Sequence, residues 1–327
     1  MHRIIVSLLL ATVLLTAASL IHAQESMKLR RIGFLGAAFS NSNPARHEAL
    51  RQGLRALGWV EGNNLVIDYR FADGKRERLP ALVAELVNLK VDVIVTGGPA
   101  PTRAVKDANI MIPTVMGFDN DPVGSGFAAS LAWPGGNITG LSTLSPEISG
   151  KQLELLKEIL PKLSHLAILG NSTEPGNAQA LKELERAARA FRLRLQYLDL
   201  LSADDIEPAY RAALKGSASA LILLGNPVAS SHRHMITAGA AKSRLAAIYP
   251  WPEFVEDGGL MTYGVNMTDL FRRAATYVDK ILKGAKAADL PIEQPIKFEF
   301  IVNLKAAKQI GLTIPPNVLV RADRVVK

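Results

Sequence analysis

The feature that most constrains the fold is a repeated alternation of short β-branched runs with amphipathic helical segments. In the first half, apolar runs of strand length are separated by segments whose apolar residues recur at helical spacing, such as Ala49, Leu50 and Gly53. Strands separated by helices pair in parallel through right-handed crossovers. The strands predicted in this half are 32–35, 65–69, 91–95 and 112–116.

The second half repeats this pattern and then continues into a short tail. A stretch rich in Gly and Pro, 119–143, joins the halves. Four more strands are predicted at 166–169, 195–198, 220–224 and 245–249. The tail adds a strand at 260–263, an amphipathic helix around 270–281, a strand at 296–302 and a short helix at 304–310. Because this tail is too short for a third domain, we predict an α/β protein in which it completes two parallel-sheet units.

The first 23 residues are typical of a secretory signal peptide. Arg3 supplies the positive charge, residues 4–20 form an uncharged apolar run, and Ala23 ends a cleavage sequence. An uncleaved membrane anchor is the alternative, since it needs about 18 apolar residues. The chain has no cysteine, which excludes disulfides, thiolate metal ligands and the lipid anchor of a bacterial lipoprotein. We therefore expect export to the periplasm with cleavage near Ala23.

The charge balance is basic, with 38 Lys and Arg against 30 Asp and Glu. Such a balance favours nucleic acid, anionic membranes or acidic partners. The basic residues are nevertheless scattered and mixed with acids, as at 75–78. None of the aromatic residues interleaves with a basic cluster, as a base-stacking surface requires. We therefore expect a solvated surface and no nucleic-acid binding.

Catalytic motifs are poorly represented in the sequence. It contains no Gly-x-Ser-x-Gly elbow and no P-loop, and His47-Glu48 lacks the second histidine of a zinc-protease helix. His232 and His234 are two residues apart, which places them on different faces of a helix. Residues 124–129 match a dinucleotide fingerprint but follow a polar turn instead of a strand. We predict no catalytic site, no metal site and no cofactor, and hence no enzyme.

Polar and glycine-rich segments follow the carboxyl ends of several predicted strands. Open parallel sheets bind ligands at this edge, where the amides of helix N-termini point outward. Asn43 and Pro44 suit the start of a helix, and Gly97 and Gly98 let backbone amides approach a ligand closely. Each segment alone is ordinary turn chemistry, but together they predict a small-molecule site between the two units. The segments are 38–44, 96–102, 118–121, 170–173 and 225–227.

Motifs spread over the whole mature chain carry a family resemblance. They are Asp-Pro-Val-Gly at 121–124, Pro-Gly-Gly-Asn-Ile-Thr-Gly at 134–140, Gly-Gly-Leu-Met-Thr-Tyr-Gly at 258–264, the helix at 274–284 and the tail at 294–315. In this order they resemble the substrate-binding proteins of ABC transporters related to the tryptophan-binding TrpX type. The resemblance implies the type I periplasmic binding-protein fold, in which two Rossmann-like lobes with parallel sheets are joined by a multi-crossing hinge.

The resemblance also implies a domain division and a set of partners. The N-terminal lobe would comprise 28–142 plus 251–283, and the C-terminal lobe 143–250 plus 284–327. The hinge crossings would lie near 141–145, 249–252 and 283–288. The implied partners are a small-molecule ligand, an ABC permease and its ATPase, and we expect a monomer. Two alternatives stay open: a receptor that presents its ligand to a sensor protein, and a periplasmic enzyme with a dispersed active site.

The ligand that the resemblance suggests is an amino acid, aromatic or branched, with sugars or nucleosides as the next candidates. A ligand carboxylate would bind the amides around 97–102, and Asp119 would neutralise an α-amino group. Trp251 and Tyr263 would either sandwich an apolar side chain or pack within the hinge. The predicted ligand contacts are Ser40, Asn41, Gly97, Gly98, Thr102, Asp119, Asn171, Asn226, Trp251 and Tyr263.

Overall fold

The computed structural model describes residues 29–143 and 145–327, and the predicted signal peptide lies outside them. The described chain forms two α/β lobes, each built on one sheet. The first sheet has the strand order β2-β1-β3-β4-β5, and its neighbouring strands are all parallel. Its strands are β1 (Arg30–Gly36), β2 (Leu65–Phe71), β3 (Val93–Thr96), β4 (Thr114–Asp119) and β5 (Ile138–Ser142).

The second sheet has the order β12-β11-β10-β9-β8-β6-β7. It is parallel from β7 to β10, while β11 pairs antiparallel with β10 and β12 pairs parallel with β11. Its strands are β6 (His165–Gly170), β7 (Arg194–Asp199), β8 (Ala220–Leu223), β9 (Ala246–Tyr249), β10 (Met261–Val265), β11 (Phe298–Asn303) and β12 (Arg324–Val326).

Helices cover both faces of each sheet. Short 3₁₀ helices occur at Arg76–Arg78, Ala203–Asp205 and Ala287–Asp289. The α-helices of the described residues are α1 (Pro44–Ala56), α2 (Leu79–Asn88), α3 (Pro99–Asp107), α4 (Ser145–Ile159), α5 (Pro175–Phe191), α6 (Ile206–Lys215), α7 (Pro227–Ser231), α8 (Arg233–Lys242), α9 (Pro252–Glu256), α10 (Met267–Leu282), α11 (Leu304–Gln309) and α12 (Pro316–Leu319).

Each lobe therefore has three layers with apolar cores on both sides of its sheet. In the first lobe, α1 and α10 pack on one face of the sheet and α2 and α3 on the other. In the second lobe, α4, α5, α11 and α12 cover one face and α6, α8 and α9 the other. The predicted apolar face of α10 is buried, including Leu270, Ala274 and Val278. The eight strands predicted in the two halves are confirmed, and so is the two-unit α/β class.

One part of the predicted linker proved to be a strand. Residues 119–143 contain β5, which pairs with β4 at the edge of the first sheet. Gly140 pairs with Met116 there, and a Cβ atom at this glycine would lie 2.3 Å from the Met116 carbonyl oxygen. This glycine therefore permits two strands to approach closely, whereas a sequence pattern rich in Gly and Pro indicates a loop.

Two of the places where the chain crosses between the lobes differ from those predicted. Strand β10 pairs with β9 and β11, so it lies in the second sheet although we expected residues 251–283 in the N-terminal lobe. Residues 287–293 run beside β5 in the first lobe, where Leu141 bridges Glu293, although we expected them in the C-terminal lobe. The crossings therefore lie near 143, at Asn266, and between 293 and 298. Sequence periodicity predicts elements but does not tell which sheet receives a strand.

We predict that the contact between α1 and α10 is intolerant of one added methyl group. A Cβ atom at Gly53 would lie 2.7 Å from both the Ala275 Cβ and the Arg272 carbonyl oxygen. Overpacking of this kind costs about 1–3 kcal/mol, so Gly53→Ala should lower the free energy of unfolding by that amount in urea denaturation. The control Gly150→Ala, in α4 with no neighbouring atom within 4 Å, should raise it by about 0.5–1 kcal/mol. A Gly53→Ala protein as stable as wild type would contradict this packing.

Candidate functional site

A cleft between the lobes holds adjoining cavities at the carboxyl ends of the parallel strands. We call the first the arginine chamber, which contains about 470 Å³ of space not filled by atoms. Both lobes contribute to its wall. Its lining includes Asn43, Arg46, Gly97, Gly98, Glu174, Asn226 and Trp251.

Two further cavities open from the arginine chamber. The neutral chamber, of about 510 Å³, shares Asn120, Gly225 and Trp251 with it. Other residues that line the neutral chamber are Ile148, Gln152, Asn177, Ala180, Val265 and Met267. The aromatic recess, of about 310 Å³, lies on the side of the first lobe and is lined by Phe34, Phe39, His47, Phe71 and Phe271.

Arg46 is the cation of the arginine chamber. It lies in the first turn of α1, on the face that also buries Ala49 and Leu50, and is only 3% exposed. Its Nε donates to Glu253 Oε1 at 2.8 Å, and its guanidinium carbon lies 4.8 Å from the ring centre of Trp251. Its Nη2 is buried without a hydrogen-bond partner among the described residues. The guanidinium is therefore held by the second lobe, but its Nη2 amino group makes no hydrogen bond to the described residues, and neither does Glu253 Oε2.

Arg46 and Glu253 form a buried ion pair next to a neutral histidine. Burial raises the pKa of Glu253, but the charge and hydrogen bond of Arg46 and the charge of Arg233 oppose this, so the pKa lies below its usual range. Glu253 is thus ionised beside Arg46. His47 follows in α1, and burial, with the charges of Arg46 and Arg51, lowers its pKa to about 4. The His47 ring is therefore neutral at neutral pH.

The glycine turn before α3 offers fewer amide donors than we expected. Gly98 has a φ of 136°, and a Cβ there would lie 2.9 Å from the Phe118 ring. The Gly97 N–H already donates to Leu35 O at 2.9 Å, and prolines occupy positions 99 and 101. Proline has no N–H, so the first turn of α3 is a weaker carboxylate site than its glycines suggest.

Glu174 is the acid that lines the arginine chamber. It precedes α5 in the second lobe, is 2% exposed, and accepts a hydrogen bond from Arg76 Nη1 of the first lobe at 3.1 Å. Burial raises the pKa of Glu174, and the charge of Arg76 partly opposes this. A second cation near Glu174 would further stabilise its ionised form.

Asp119 lies behind the cavity wall. It is fully buried and is not among the residues that line the three cavities. Its Oδ1 accepts from the Asp121 N–H at 2.9 Å, and its Oδ2 has no partner among the described residues. Burial raises the pKa of Asp119 to about 7, and the charges of Asp121 and Glu174 add to this. These three carboxyl groups make this side of the cleft acidic.

Six of the ten predicted contacts do not line the cavities, namely Ser40, Asn41, Thr102, Asp119, Asn171 and Tyr263. Ser40 and Asn41 are exposed. The Thr102 hydroxyl is buried against Gly98 O at 2.9 Å, and Asn171 Oδ1 accepts from the Thr173 N–H at 2.9 Å. These side chains stabilise turns, as short polar residues after strands commonly do.

The other four predicted contacts, Gly97, Gly98, Asn226 and Trp251, come together in the arginine chamber. Asn226 also caps α7, because its Oδ1 accepts from the Ala229 N–H at 2.8 Å. Trp251 separates the arginine and neutral chambers and lines both. Tyr263 packs instead against Phe300, with ring centres 6.2 Å apart.

Sequence reasoning missed Arg46 and Glu174. The signal for Arg46 was a cation on the apolar face of an amphipathic helix, three residues after the N-cap Asn43. A buried arginine needs partners, so this position pointed to a site. Glu174 immediately follows the segment 170–173 that we singled out. Its burial depends on contact with the other lobe, which the sequence does not reveal.

Several contacts join the lobes across the cleft. Arg46 pairs with Glu253, and Arg76 pairs with Glu174. Arg233 of α8 donates to the Ser42 carbonyl oxygen, and Gln179 donates to Asp121. The structure thus has its lobes in contact around the arginine chamber.

The chemistry of the cleft is that of binding. No group of three or more His, Asp or Glu side chains in the described ranges is placed to hold a metal ion. None of the helices in those ranges is long and apolar enough to cross a membrane. What the cleft presents is a buried cation, an acidic side and uncharged surface between two lobes, which suits a small polar ligand.

Two α/β lobes with a cleft at the carboxyl ends of their strands define the class of type I periplasmic binding proteins. The model of the ABC transporter substrate-binding protein family matches residues 40–326, and the chain belongs to this family. This confirms the resemblance found in the sequence. It also confirms that the chain is a substrate-binding protein and not an enzyme.

Similar proteins cover nearly all of the described chain. A tyrosine-binding protein of Clostridioides difficile (strain R20291) is 24% identical over 292 residues, which are 88% of this chain and 83% of that protein. The crystal structure of a conserved domain protein from Vibrio cholerae O1 biovar eltor has a TM-score of 0.86 and 27% identity, and covers 91% of this chain and 100% of its own. An ABC domain from Streptococcus pneumoniae in complex with L-Trp has a TM-score of 0.84 and 24% identity, with 91% and 99% covered. The two-lobed fold is thereby confirmed.

The burial of Asp119 predicts a pH dependence of stability. Its pKa is about 7 in the folded protein against an ordinary 3.8. The stability that protonated Asp119 contributes is therefore complete below about pH 4 and is lost as the pH rises through 7. Relative to wild type, Asp119→Asn should gain stability between pH 4 and 7, by at most about 4 kcal/mol, in urea unfolding. A difference between the two proteins that stays constant from pH 4 to 8 would contradict this.

Proposed function

We propose that the protein is the periplasmic solute-binding component of an ABC importer and captures an amino acid between its lobes. Family membership supports this role, in which an ABC permease and its ATPase receive the ligand. The N-terminal segment, with Arg3, the apolar run 4–20 and Ala23, supports export and cleavage. We further propose that it acts as a monomer.

The observation that carries the proposal is the unused donor of Arg46. Glu253 occupies Nε and the Trp251 ring covers the guanidinium, while Nη2 is buried without a partner among the described residues. A buried donor left unpaired costs about 1–3 kcal/mol, and more when it is charged. Because Arg46 lines the arginine chamber, a ligand carboxylate would pair with Nη2 and remove this cost.

The wall of the arginine chamber also offers acceptors for an ammonium group. Glu174 lines it, and the charges of Glu174 and Asp121 both act on Asp119. Asn43 Oδ1 is a further buried acceptor without a partner among the described residues. A cation on one lobe and carboxylates near the other match the separated charges of an amino acid zwitterion. In this proposal Glu174 takes the role of ammonium partner that we first expected of Asp119.

The ligand we propose is an aromatic or branched amino acid. The names of two similar proteins refer to tyrosine and L-Trp, which supports an aromatic amino acid. The indole of Trp251 at the junction of the chambers supplies a flat apolar surface for such a side chain.

A ligand screen with an arginine variant tests the proposal. In thermal-shift and calorimetric titrations of the purified protein, tyrosine, tryptophan or leucine should raise the melting temperature, since a ligand that binds only the folded state stabilises it. Arg46→Gln should weaken that binding by at least about 30-fold, the lower end of the cost of losing a buried charged partner.

The matched control is Arg51→Gln. Arg51 lies in the same helix, is 43% exposed and pairs with Glu48 of its own helix, so its replacement should leave the affinity within about twofold. Arg46→Lys keeps the charge and reports whether the fold survives. Near-normal affinity in Arg46→Gln would contradict the carboxylate site. A response to sugars or nucleosides alone, or chemical turnover of the ligand, would contradict the proposed function.

Ligand binding should also close the lobes. The Arg76–Glu174 pair joins the lobes beside the arginine chamber, and the ligand meets groups of both lobes only when these are together. Small-angle scattering should therefore show a smaller radius of gyration with saturating tyrosine or tryptophan. Arg76→Ala should lower the affinity about fivefold. Arg78→Ala, which removes a pair with Asp73 inside the first lobe, should not. An unchanged scattering profile would contradict closure.

A further inference from the structure

The neutral chamber differs from the arginine chamber in its charge. Among the described residues that line it there is no Asp, Glu, Lys, Arg or His. It is reached past Trp251, whose indole lies close against Gly225, since a Cβ atom at this glycine would be 2.7 Å from the ring. The two chambers thus divide the cleft into a charged end and an uncharged end.

The polar groups of the neutral chamber are largely engaged with the protein. Asn177 donates to Gly225 O at 3.1 Å and accepts from the Asn171 N–H at 3.3 Å. The Gln152 amide donates to Tyr263 O at 2.8 Å. The lining supplies no ionised partner for a ligand charge, and a charge buried without such a partner costs several kcal/mol.

Apolar side chains form another part of the wall, beside the uncharged polar residues Asn120, Thr143 and Ser149. Ile148 of α4 and Val265 of β10 each lie close to a crossing between the lobes, and Ala180 lines the chamber from α5. Ala180 is 3% exposed and also belongs to the apolar core of the second lobe. This surface favours apolar or aromatic groups, because their removal from water contributes about 25 cal/mol per Å².

The aromatic recess is another place for an apolar group. Its rings contact one another: Phe34 lies 4.8 Å from His47 and 5.8 Å from Phe71 between ring centres. These rings pack against one another within the first lobe, which favours the neutral chamber as the receiving space.

We propose that the neutral chamber receives the ligand side chain, while the α-carboxylate and ammonium groups stay with Arg46 and Glu174 in the arginine chamber. This inference rests on the proposed function and adds the orientation of the ligand. It makes the site selective for amino acids whose side chains carry no charge. Trp251 then lies at the branch point, beside the α-carbon of the ligand.

Matched ligand pairs test the selectivity on the unmodified protein. Norleucine and lysine have side chains of similar length and differ in one charged group, and so do glutamine and glutamate. In competition with labelled tyrosine or tryptophan, norleucine should bind at least about 30-fold more tightly than lysine, and glutamine more tightly than glutamate. If lysine or glutamate bound as tightly as its neutral counterpart, the inference would be overturned, but the proposal that the protein binds amino acids would stand.

A pair of variants in one helix tests the location. Ala180→Leu narrows the neutral chamber. It should weaken the binding of tryptophan at least tenfold more than the binding of alanine. Ala178→Leu, at an exposed position two residues earlier in α5, should change neither. Unchanged tryptophan affinity in a folded Ala180→Leu protein would place the side chain elsewhere, such as the aromatic recess, and overturn the inference. Binding of no amino acid at all would contradict the proposed function itself.

Discussion

The buried guanidinium of Arg46 is the interaction on which the arrangement of this cleft depends. A cation that is 3% exposed loses most of its hydration, and it is stable there only if other groups replace the water. Glu253 and the Trp251 ring do so in part, and both lie in the connection between β9 and β10 of the second sheet. The charge of Arg46, which lies on the first lobe, is therefore compensated only when the second lobe is in place. The relative position of the lobes and the surroundings of Arg46 are thus coupled.

The crossings of the chain give this coupling a structural basis. After β10 completes part of the second sheet, the chain returns at Asn266 to form α10, which packs against α1. Residues 287–293 then line β5 before β11 joins the second sheet. Each lobe thus contains segments from distant parts of the sequence. Arg46 lies on α1, and α1 packs against α10, which the returning chain forms. Relative motion of the lobes would change the surroundings of Arg46.

Prediction of the fold from the sequence succeeded where local pattern and tertiary structure agree. Buried parallel strands such as 93–96 and 220–223 read as continuous apolar runs because both of their faces are covered. The prediction failed at β5, where Gly140 allows the strand to lie close to β4. It also failed at the short strand β12, which the sequence analysis did not include. It also misplaced β10, since strand partners depend on long-range pairing that periodicity does not contain.

The sequence by itself determined the two α/β units, the polar segments at the strand ends and the family to which the chain belongs. These follow from local periodicity, turn chemistry and motifs in order. Only the tertiary structure decided which polar groups line the cleft. Asp119, prominent in the sequence, lies behind the wall, whereas Arg46 and Glu174 reach the chamber from different lobes. The reason is physical: the burial and partners of a charged side chain depend on residues that are far away in the chain, such as Glu253 for Arg46.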